Sequence, residues 1–185
     1  MPVSVQAPRF APISQTSLEI RRNLDANYKV HVTPDRAVIK VFGKASYLNA
    51  EPLRSFFQEL EHAGQKRFVF DFQECSSMDS TFLGILVSVT LKLRKNAEGG
   101  SVVLLNLRGR NLETVCNLGI HQIAEINSDE IKDPAHLENL LSNADRSSVN
   151  SQTIYAAHKA LMSLNEKNLK VFSDVVSYLE QKSDD

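Results

Sequence analysis

The first regular pattern of apolar and polar positions along the chain is typical of a β-hairpin. Val30 and Val32 alternate with polar residues, and residues 37–42 are rich in β-branched and aromatic side chains. Residues 33–36 lie between these two runs and carry a proline at the second turn position. The pattern therefore predicts two strands joined by a tight turn, the second of which ends at Gly43.

Three later apolar runs predict further strands. Phe68–Phe72 and Ser101–Leu107 are short and mostly apolar, as strands buried on both faces are. Ile120–Ile126 predicts a short final strand. Because none of these runs has the clean alternation of a half-exposed strand, we expect them to form the interior of a sheet.

Helical patterns separate these strands. Asn49 is a candidate N-cap for a helix whose apolar residues recur at helical spacing, and Gly64 is placed to end it. Ser80–Lys95 is apolar on most sides, which predicts a buried helix, and Asn111–Asn117 predicts a short one. The order β-β-α-β-α-β-α-β indicates an α/β fold with a mostly parallel sheet and the first strand as its antiparallel edge.

The pattern also divides the chain into segments. Residues 1–27 carry three prolines and little periodicity, which predicts an N-terminal arm before an α/β domain at residues 28–141. Residues 142–152 are rich in serine, asparagine and aspartate and predict a linker. Residues 153–185 predict a C-terminal helical appendage.

Helical spacing recurs in the C-terminal part of the chain. Asp133-Pro134 is typical of a helix start, and leucines follow it at helical spacing up to Leu141. Two apolar stripes then predict a pair of helices, the first on Ile154, Ala157 and Leu161, the second on Leu169, Phe172, Val176 and Leu179. Because so small a pair cannot bury its apolar faces alone, we expect it to dock on the main domain, on a second subunit or on a partner.

Composition and charge narrow the function. The 185 residues contain 21 Lys+Arg and 22 Asp+Glu, a net charge of −1, which argues against a dedicated nucleic-acid binder. Hydrophobic residues make up 42%, enough for a folded core. The longest apolar stretch, Phe82–Leu93, is too short to span a membrane, and the first residues have no apolar signal region, so we expect a cytoplasmic protein.

The candidate metal and thiol chemistry is weak. Cys75 and Cys116 form no C-x-x-C pair, so the sequence predicts neither a disulfide framework nor a zinc site. The five histidines have no metal-ligand spacing, and no nucleophile-elbow or nucleotide-binding motif is present. We therefore expect no metal, no cofactor and no enzymatic activity, with a hydrolase as the last alternative.

One short motif carries a functional signal. Asp79-Ser80-Thr81 stands where a strand and loop give way to the buried helix, and Phe82-Leu83-Gly84 follows. This segment resembles the core motif of the STAS domains, the anti-sigma factor antagonist family, in which Asp-Ser-Ser/Thr-Gly-Leu-Gly follows a strand. The resemblance extends over residues 28–126 in the order of elements, and it implies a four- to five-stranded, mostly parallel mixed sheet with helices.

The resemblance also implies a mechanism. In the family, the serine after the aspartate is phosphorylated by an anti-sigma factor that is itself a serine kinase. The unmodified antagonist binds that partner and frees the sigma factor, phosphorylation ends the contact, and a phosphatase resets the switch. The matching residue is Ser80, with Thr81 as the second choice.

Elementary electrostatics is consistent with a switch at this position. The N-terminus of a helix exposes unpaired N–H groups and tolerates an added negative charge, whereas a protein partner packed there would have to desolvate it. We expect the contact surface to combine the start of this helix with the loop at residues 43–48. The predicted partner-binding residues are Asp79, Ser80, Thr81, Phe82, Leu83, Gly43 and Ser46.

Several alternatives stay open. Ser80 could serve only as an N-cap, and Phe82, which replaces the first motif glycine of the family, either packs inward or forms an altered docking anchor. The domain could instead be a docking subunit of a transporter of the ABC lipid-trafficking type, without phosphorylation. A third alternative is a signalling scaffold whose C-terminal helices form a homodimer.

Overall fold

The computed structural model describes residues 27–95, 99–128, 138–139 and 150–183. The strands are β1 (Tyr28–Val32), β2 (Ala37–Ala45), β3 (Arg67–Met78), β4 (Ser101–Leu105), β5 (Glu125–Asn127) and β6 (Glu138–Asn139). The helices are α1 (Ala50–His62), α2 (Ser80–Lys95), α3 (Gly109–Asn117), α4 (Ser151–Met162) and α5 (Glu166–Ser183), with a 3₁₀ turn at Ile120–Gln122.

The described strands form one sheet in the order β5-β4-β3-β2-β1-β6. Strands β2 to β5 are parallel, and β1 is antiparallel to β2, so the mostly parallel mixed sheet that the pattern predicts is confirmed. The prediction that β1 is the edge is wrong, because the two-residue strand β6 pairs with Lys29 and Val30 on its outer side. This pairing covers part of the hydrogen-bonding edge that β1 would otherwise present to solvent.

Two predicted boundaries also differ from the structure. The helix predicted from Pro134 to Leu141 is wrong at Glu138–Asn139, which form β6, and its other residues lie outside the described part. The strand predicted at Ile120–Ile126 begins as a 3₁₀ turn and becomes β5 only at Glu125. The predicted N-terminal arm, apart from residue 27, and most of the predicted linker lie outside the described residues.

Strand β3 continues for six residues beyond the predicted end at Phe72. Its polar second half still pairs with β2, as in the partners Phe42↔Glu74 and Ala45↔Met78, with one register shift between these two pairs. Ladder hydrogen bonds therefore outweigh the weak strand propensity of this segment. The extension carries the chain to Asp79, directly before α2.

An aromatic cluster positions α1 and α2 on the sheet. Phe68, Phe70 and Phe72 alternate along β3 and therefore point to the same face. The ring centroid of Phe57 in α1 lies 5.3 Å from that of Phe68, and the ring of Phe82 in α2 lies 6.1 Å from that of Phe72. These contacts fix the start of α2 against the end of the sheet.

The C-terminal helical pair docks on the main domain. α4 packs against α2, and α5 packs against α4. Ala157, Leu161 and Val176 are buried there. Asn168 in α5 is fully buried and links the helical pair to the domain. Its side-chain amide donates hydrogen bonds to the backbone carbonyls of Leu118 and Leu161 at 2.9 and 3.0 Å. The sequence left open whether these helices dock on the main domain, on a second subunit or on a partner. In the structure they dock on the main domain of their own chain.

Alkaline conditions should lower stability through Tyr28. Burial raises the pKa of this phenol, and negative charge at Cys75 and Asp79 raises it further. Above its ordinary pKa of about 10, the phenol ionises only in the unfolded chain, so the free energy of unfolding falls as pH rises beyond that value. Replacing Tyr28 by phenylalanine should flatten this decline, measured by urea unfolding between about pH 8 and 11.

A matched control is Tyr47→Phe, because Tyr47 is 45% exposed. Because this side chain lies largely in solvent in the folded chain, the substitution should leave the alkaline decline unchanged. A decline of equal steepness in the Tyr28→Phe protein would show that another group causes it.

Candidate functional site

Asp79 joins the end of β3 to the start of α2. Its carboxylate accepts a hydrogen bond from the backbone N–H of Phe82 at 2.9 Å and another from the N–H of Tyr47 at 2.8 Å. The first bond caps the helix, and the second ties it to the loop between β2 and α1. The alternative in which Ser80 is only the N-cap is therefore wrong, because Asp79 performs that role and Ser80 is the first helical residue.

Ser80 makes a side-chain hydrogen bond to the C-terminal helices instead. Its half-buried Oγ lies 3.0 Å from Nε2 of His158 in α4. Nδ1 of His158 lies 2.8 Å from the carbonyl oxygen of Ile154. Since a carbonyl only accepts, a neutral imidazole carries its proton on Nδ1, and the Ser80 hydroxyl then donates to Nε2. The hydroxyl at the candidate switch position is thus already paired.

His158 is itself firmly placed. Only 5% of it is exposed, and its ring meets the ring of Phe172 in α5 edge to face at 5.3 Å. A buried, oriented imidazole beside a serine hydroxyl polarises the O–H bond, because Nε2 is positioned to receive its proton. No motif or spacing in the sequence identified His158 as a functional residue. The only signal for it was its position beside the apolar stripe of α4.

Most of the predicted contact residues of α2 point into the core. Thr81, Phe82 and Leu83 are 5%, 0% and 1% exposed. The two interpretations of Phe82 are thereby separated: the ring packs inward, parallel to that of Tyr28 and perpendicular to that of Phe72. The prediction that these three side chains face a partner does not hold in this conformation. Thr81, the second candidate for phosphorylation, is buried with the other two.

The loop between β2 and α1 lies beside Asp79. Gly43 lies within β2, which ends at Ala45 rather than at Gly43 as predicted; it is exposed and has a φ of +61°, a conformation that glycine adopts without strain. Ser46, the first residue of the loop, is buried. Asn49 holds the loop, because its Oδ1 accepts from the backbone N–H of Ser46 and from the hydroxyl of Tyr28. Contrary to prediction, the Asn49 side chain makes no cap bond to α1.

The exposed part of this loop is apolar. Tyr47 and Leu48 are 45% and 63% exposed, and the Tyr47 backbone is bonded to Asp79. The structure therefore brings together a carboxylate, a serine hydroxyl and two exposed apolar side chains at one end of α2. Of the seven predicted contact residues, Gly43, Asp79 and Ser80 are at least partly exposed there.

Helix α4 approaches α2 at backbone distance. A Cβ atom added to Gly84 would overlap the carbonyl oxygen of Ala157, closer than any real contact. At the start of α4, the hydroxyl of Thr153 donates to Glu51 of α1 at 3.2 Å, and Glu51 also pairs with Arg54. Helix α4 thus contacts both α1 and α2 beside the Ser80 position.

Other chemistry has little support within the described ranges. No group of three or more His, Cys, Asp or Glu side chains there is placed to hold a metal ion. Burial raises the pKa of the Cys75 thiol, which disfavours the reactive thiolate. None of the helices in the described segments is both long enough and apolar enough to cross a membrane.

Comparisons with known proteins agree with the motif. The sequence model of the STAS domain family matches residues 27–132, more than half of the chain. No curated protein sequence matches. Similar solved structures include the anti-sigma factor antagonist SpoIIAA in its unphosphorylated form, at 20% identity and a TM-score of 0.46, covering 57% of this chain and 90% of that one.

Two further structures are similar over a comparable share of the chain. The Bacillus cell fate determinant SpoIIAA in its phosphorylated form has 22% identity and a TM-score of 0.47, covering 56% of this chain and 92% of that one. A Shewanella loihica protein with a SpoIIAA-like fold has 18% identity and a TM-score of 0.39, covering 57% of this chain and 85% of that one. Because all three TM-scores are below 0.5, the family assignment rests on the sequence match.

Proposed function

We infer a regulatory function from one premise: the chain belongs to the STAS domain family. The protein acts like an anti-sigma factor antagonist, binding an anti-sigma factor that has serine kinase activity, and phosphorylation of Ser80 ends the contact. The observation that carries this proposal is the position of Ser80. It is the first residue of α2, and its hydroxyl is not needed to cap the helix, because Asp79 does so.

The negative charge of a phosphate on Ser80 would weaken the binding of the partner. A phosphoserine adds about −1.5 to −2 charge, and Asp79 is adjacent in the chain. The N-terminus of α2 tolerates that charge, since helix N–H groups and the helix dipole favour anions. A partner covering Tyr47, Leu48 and Asp79 would have to desolvate it, so binding weakens while the fold persists.

The rest of the proposal follows from the same scheme. The protein itself is not an enzyme, a separate phosphatase resets Ser80, and the protein works in the cytoplasm. A homodimer through the C-terminal helices stays a prediction. It is supported by three exposed apolar side chains at helical spacing on α5, Val171, Val175 and Tyr178.

A charge at position 80 should weaken partner binding. We expect Ser80→Asp to lower recovery of the partner in pull-downs by about tenfold, while Ser80→Ala binds at least as well as the wild type. Ser76→Asp is the matched control, because Ser76 is exposed on β3 and a charge there lies outside the helix start. Equal recovery with Ser80→Asp and Ser76→Asp would refute the charge mechanism.

Phosphorylation itself is tested by incubating the protein with cell lysate and ATP and mapping the modified residues by mass spectrometry. The proposal requires a phosphate on Ser80. Absence of label at both Ser80 and Thr81 would favour the second candidate, a constant docking subunit of a transporter or scaffold. The observation that favours this candidate is the hydrogen bond that already engages the Ser80 hydroxyl.

A further inference from the structure

We propose that α4 is an intramolecular cover for the hydroxyl of half-buried Ser80, and that a modifying enzyme or a partner engages this hydroxyl only after α4 has left α2. The biological meaning of this cover rests on the function proposed above, because it regulates the same site. The cover itself is a property of the packing, which can be measured without knowing the partner.

The hydrogen bond between Ser80 and His158 is the first support. Phosphoryl transfer requires an approach to Oγ in line with the leaving group and at close range. The Nε2 atom lies 3.0 Å from Oγ and so occupies one direction of that approach. Because His158 is 5% exposed and packed against Phe172, its ring cannot simply turn aside while α4 and α5 stay docked.

The contact at Gly84 is the second support. The absence of a side chain at Gly84 lets the backbone of Ala157 lie directly on α2, one turn beyond Ser80. A helix seated at backbone distance leaves no gap for another polypeptide on that face. Any partner that binds this face of α2 must therefore compete with α4 for the same surface.

The position of α4 in the chain is the third support. The STAS match ends at residue 132, and α4 begins only at Ser151. The helical pair is thus an addition to the family domain, and it sits on the helix that carries the family's switch position. A helix of only 12 residues is marginally stable by itself, so its docking depends on the contacts with α2 and α5.

The polar contacts of α4 with the domain are replaceable. His158 pairs with Ser80, and Thr153 pairs with Glu51, so each bond can be exchanged for one to water or to a partner. Adding a phosphate to Oγ would also require the imidazole to move. The closed form and a modified or partner-bound form are therefore mutually exclusive.

Thiol labelling measures the cover directly. In the full chain, Ser80→Cys places a thiol at the covered position, Cys75→Ala removes the half-buried native thiol, and exposed Cys116 remains as an internal reference. We expect a maleimide to label position 80 at least ~10-fold more slowly than Cys116, because labelling requires the opening of α4.

Opening the cover should abolish this difference. Ala157→Glu places a charge at a buried position of α4 whose backbone lies on Gly84, and it should raise the labelling rate at position 80 by ~10-fold or more. Ala156→Glu is the matched control, because it makes the same change one residue earlier on the exposed side of α4, and it should leave the rate unchanged. His158→Ala is a milder second variant, for use if circular dichroism shows that Ala157→Glu is unfolded.

Rapid labelling of position 80 in the parent, with no increase in either variant, would overturn the cover. Hydrogen exchange on the wild-type chain guards against an effect of the cysteine itself: α4 amides must be protected, and their exchange at the rate of an unfolded peptide would also overturn the proposal. None of these measurements involves a kinase or a partner. A failed cover and a failed phosphoswitch therefore give separable results.

Discussion

Replacing Phe82 by alanine should lower the free energy of unfolding by about 3–5 kcal/mol. The ring is fully buried, stacked on Tyr28 with centroids 6.4 Å apart and set edge to face against Phe72. Its removal leaves a cavity between β1, β3 and the first turn of α2. Urea unfolding followed by circular dichroism measures the loss.

Phe42→Ala is the matched control for this substitution. Phe42 is half-buried and lies under the ammonium groups of Lys29 and Lys40, so a smaller loss of about 1–2 kcal/mol is expected. Equal losses for the two phenylalanines would contradict the core role of Phe82. They would revive the interpretation of its ring as a docking anchor.

Replacing Gly84 by alanine should separate α4 from α2. Alanine favours a helix over glycine by about 1 kcal/mol, so α2 alone should become more stable. The added methyl group, however, meets three backbone atoms of Ala157, which cannot rotate away as a side chain could. We expect a net destabilisation of ~1–3 kcal/mol, with faster hydrogen exchange in α4 and α5.

Ser88→Ala tests whether the effect belongs to the helix contact. Ser88 lies one turn further along α2 and is half-buried. An alanine at this position should change the free energy of unfolding by less than about 0.5 kcal/mol and leave the α4 amides protected from hydrogen exchange. If Gly84→Ala stabilised the protein and left exchange in α4 unchanged, the close packing of the two helices would be refuted.

The local patterns predicted the α/β domain well because its elements are strongly periodic. The predicted helix Ser80–Lys95 matches α2 at both ends. A capping residue precedes its apolar run, and the helix-breaking segment Glu98-Gly99-Gly100 comes after that run in the sequence. The second half of β3 was missed because its serines and acidic residues are typical of loops. Only the pairing with β2 makes that segment a strand, and pairing between distant segments is not encoded in local composition.

The candidate site was predictable only in part. The motif around Ser80 predicted a candidate switch position from adjacent residues, whereas the partner of the Ser80 hydroxyl lies 78 residues away in the chain. The apolar stripe of α4 predicted that the helix must dock, but periodicity does not say where. A lone histidine beside such a stripe is usually a core residue, and its role here depends on how the helices cross.

The identity of the N-cap of α2, Asp79 rather than Ser80, also depends on contacts between distant segments of the chain. Both Asp79 and Ser80 are good capping residues, so the sequence could not decide between them. The long path of β3 sets the choice, because it delivers the Asp79 carboxylate to the N–H groups of Phe82 and Tyr47 and turns Ser80 toward α4.

The glycine at position 84 has a practical consequence for identifying what this protein binds. A bait protein whose face around Ser80 is covered by its own helix α4 would enrich few ligands of that face from an extract, however good the assay. A single methyl group at Gly84 should convert this chain into an unblocked bait that keeps Ser80 intact. Comparing captures by the two forms would then separate specific ligands of the face from background.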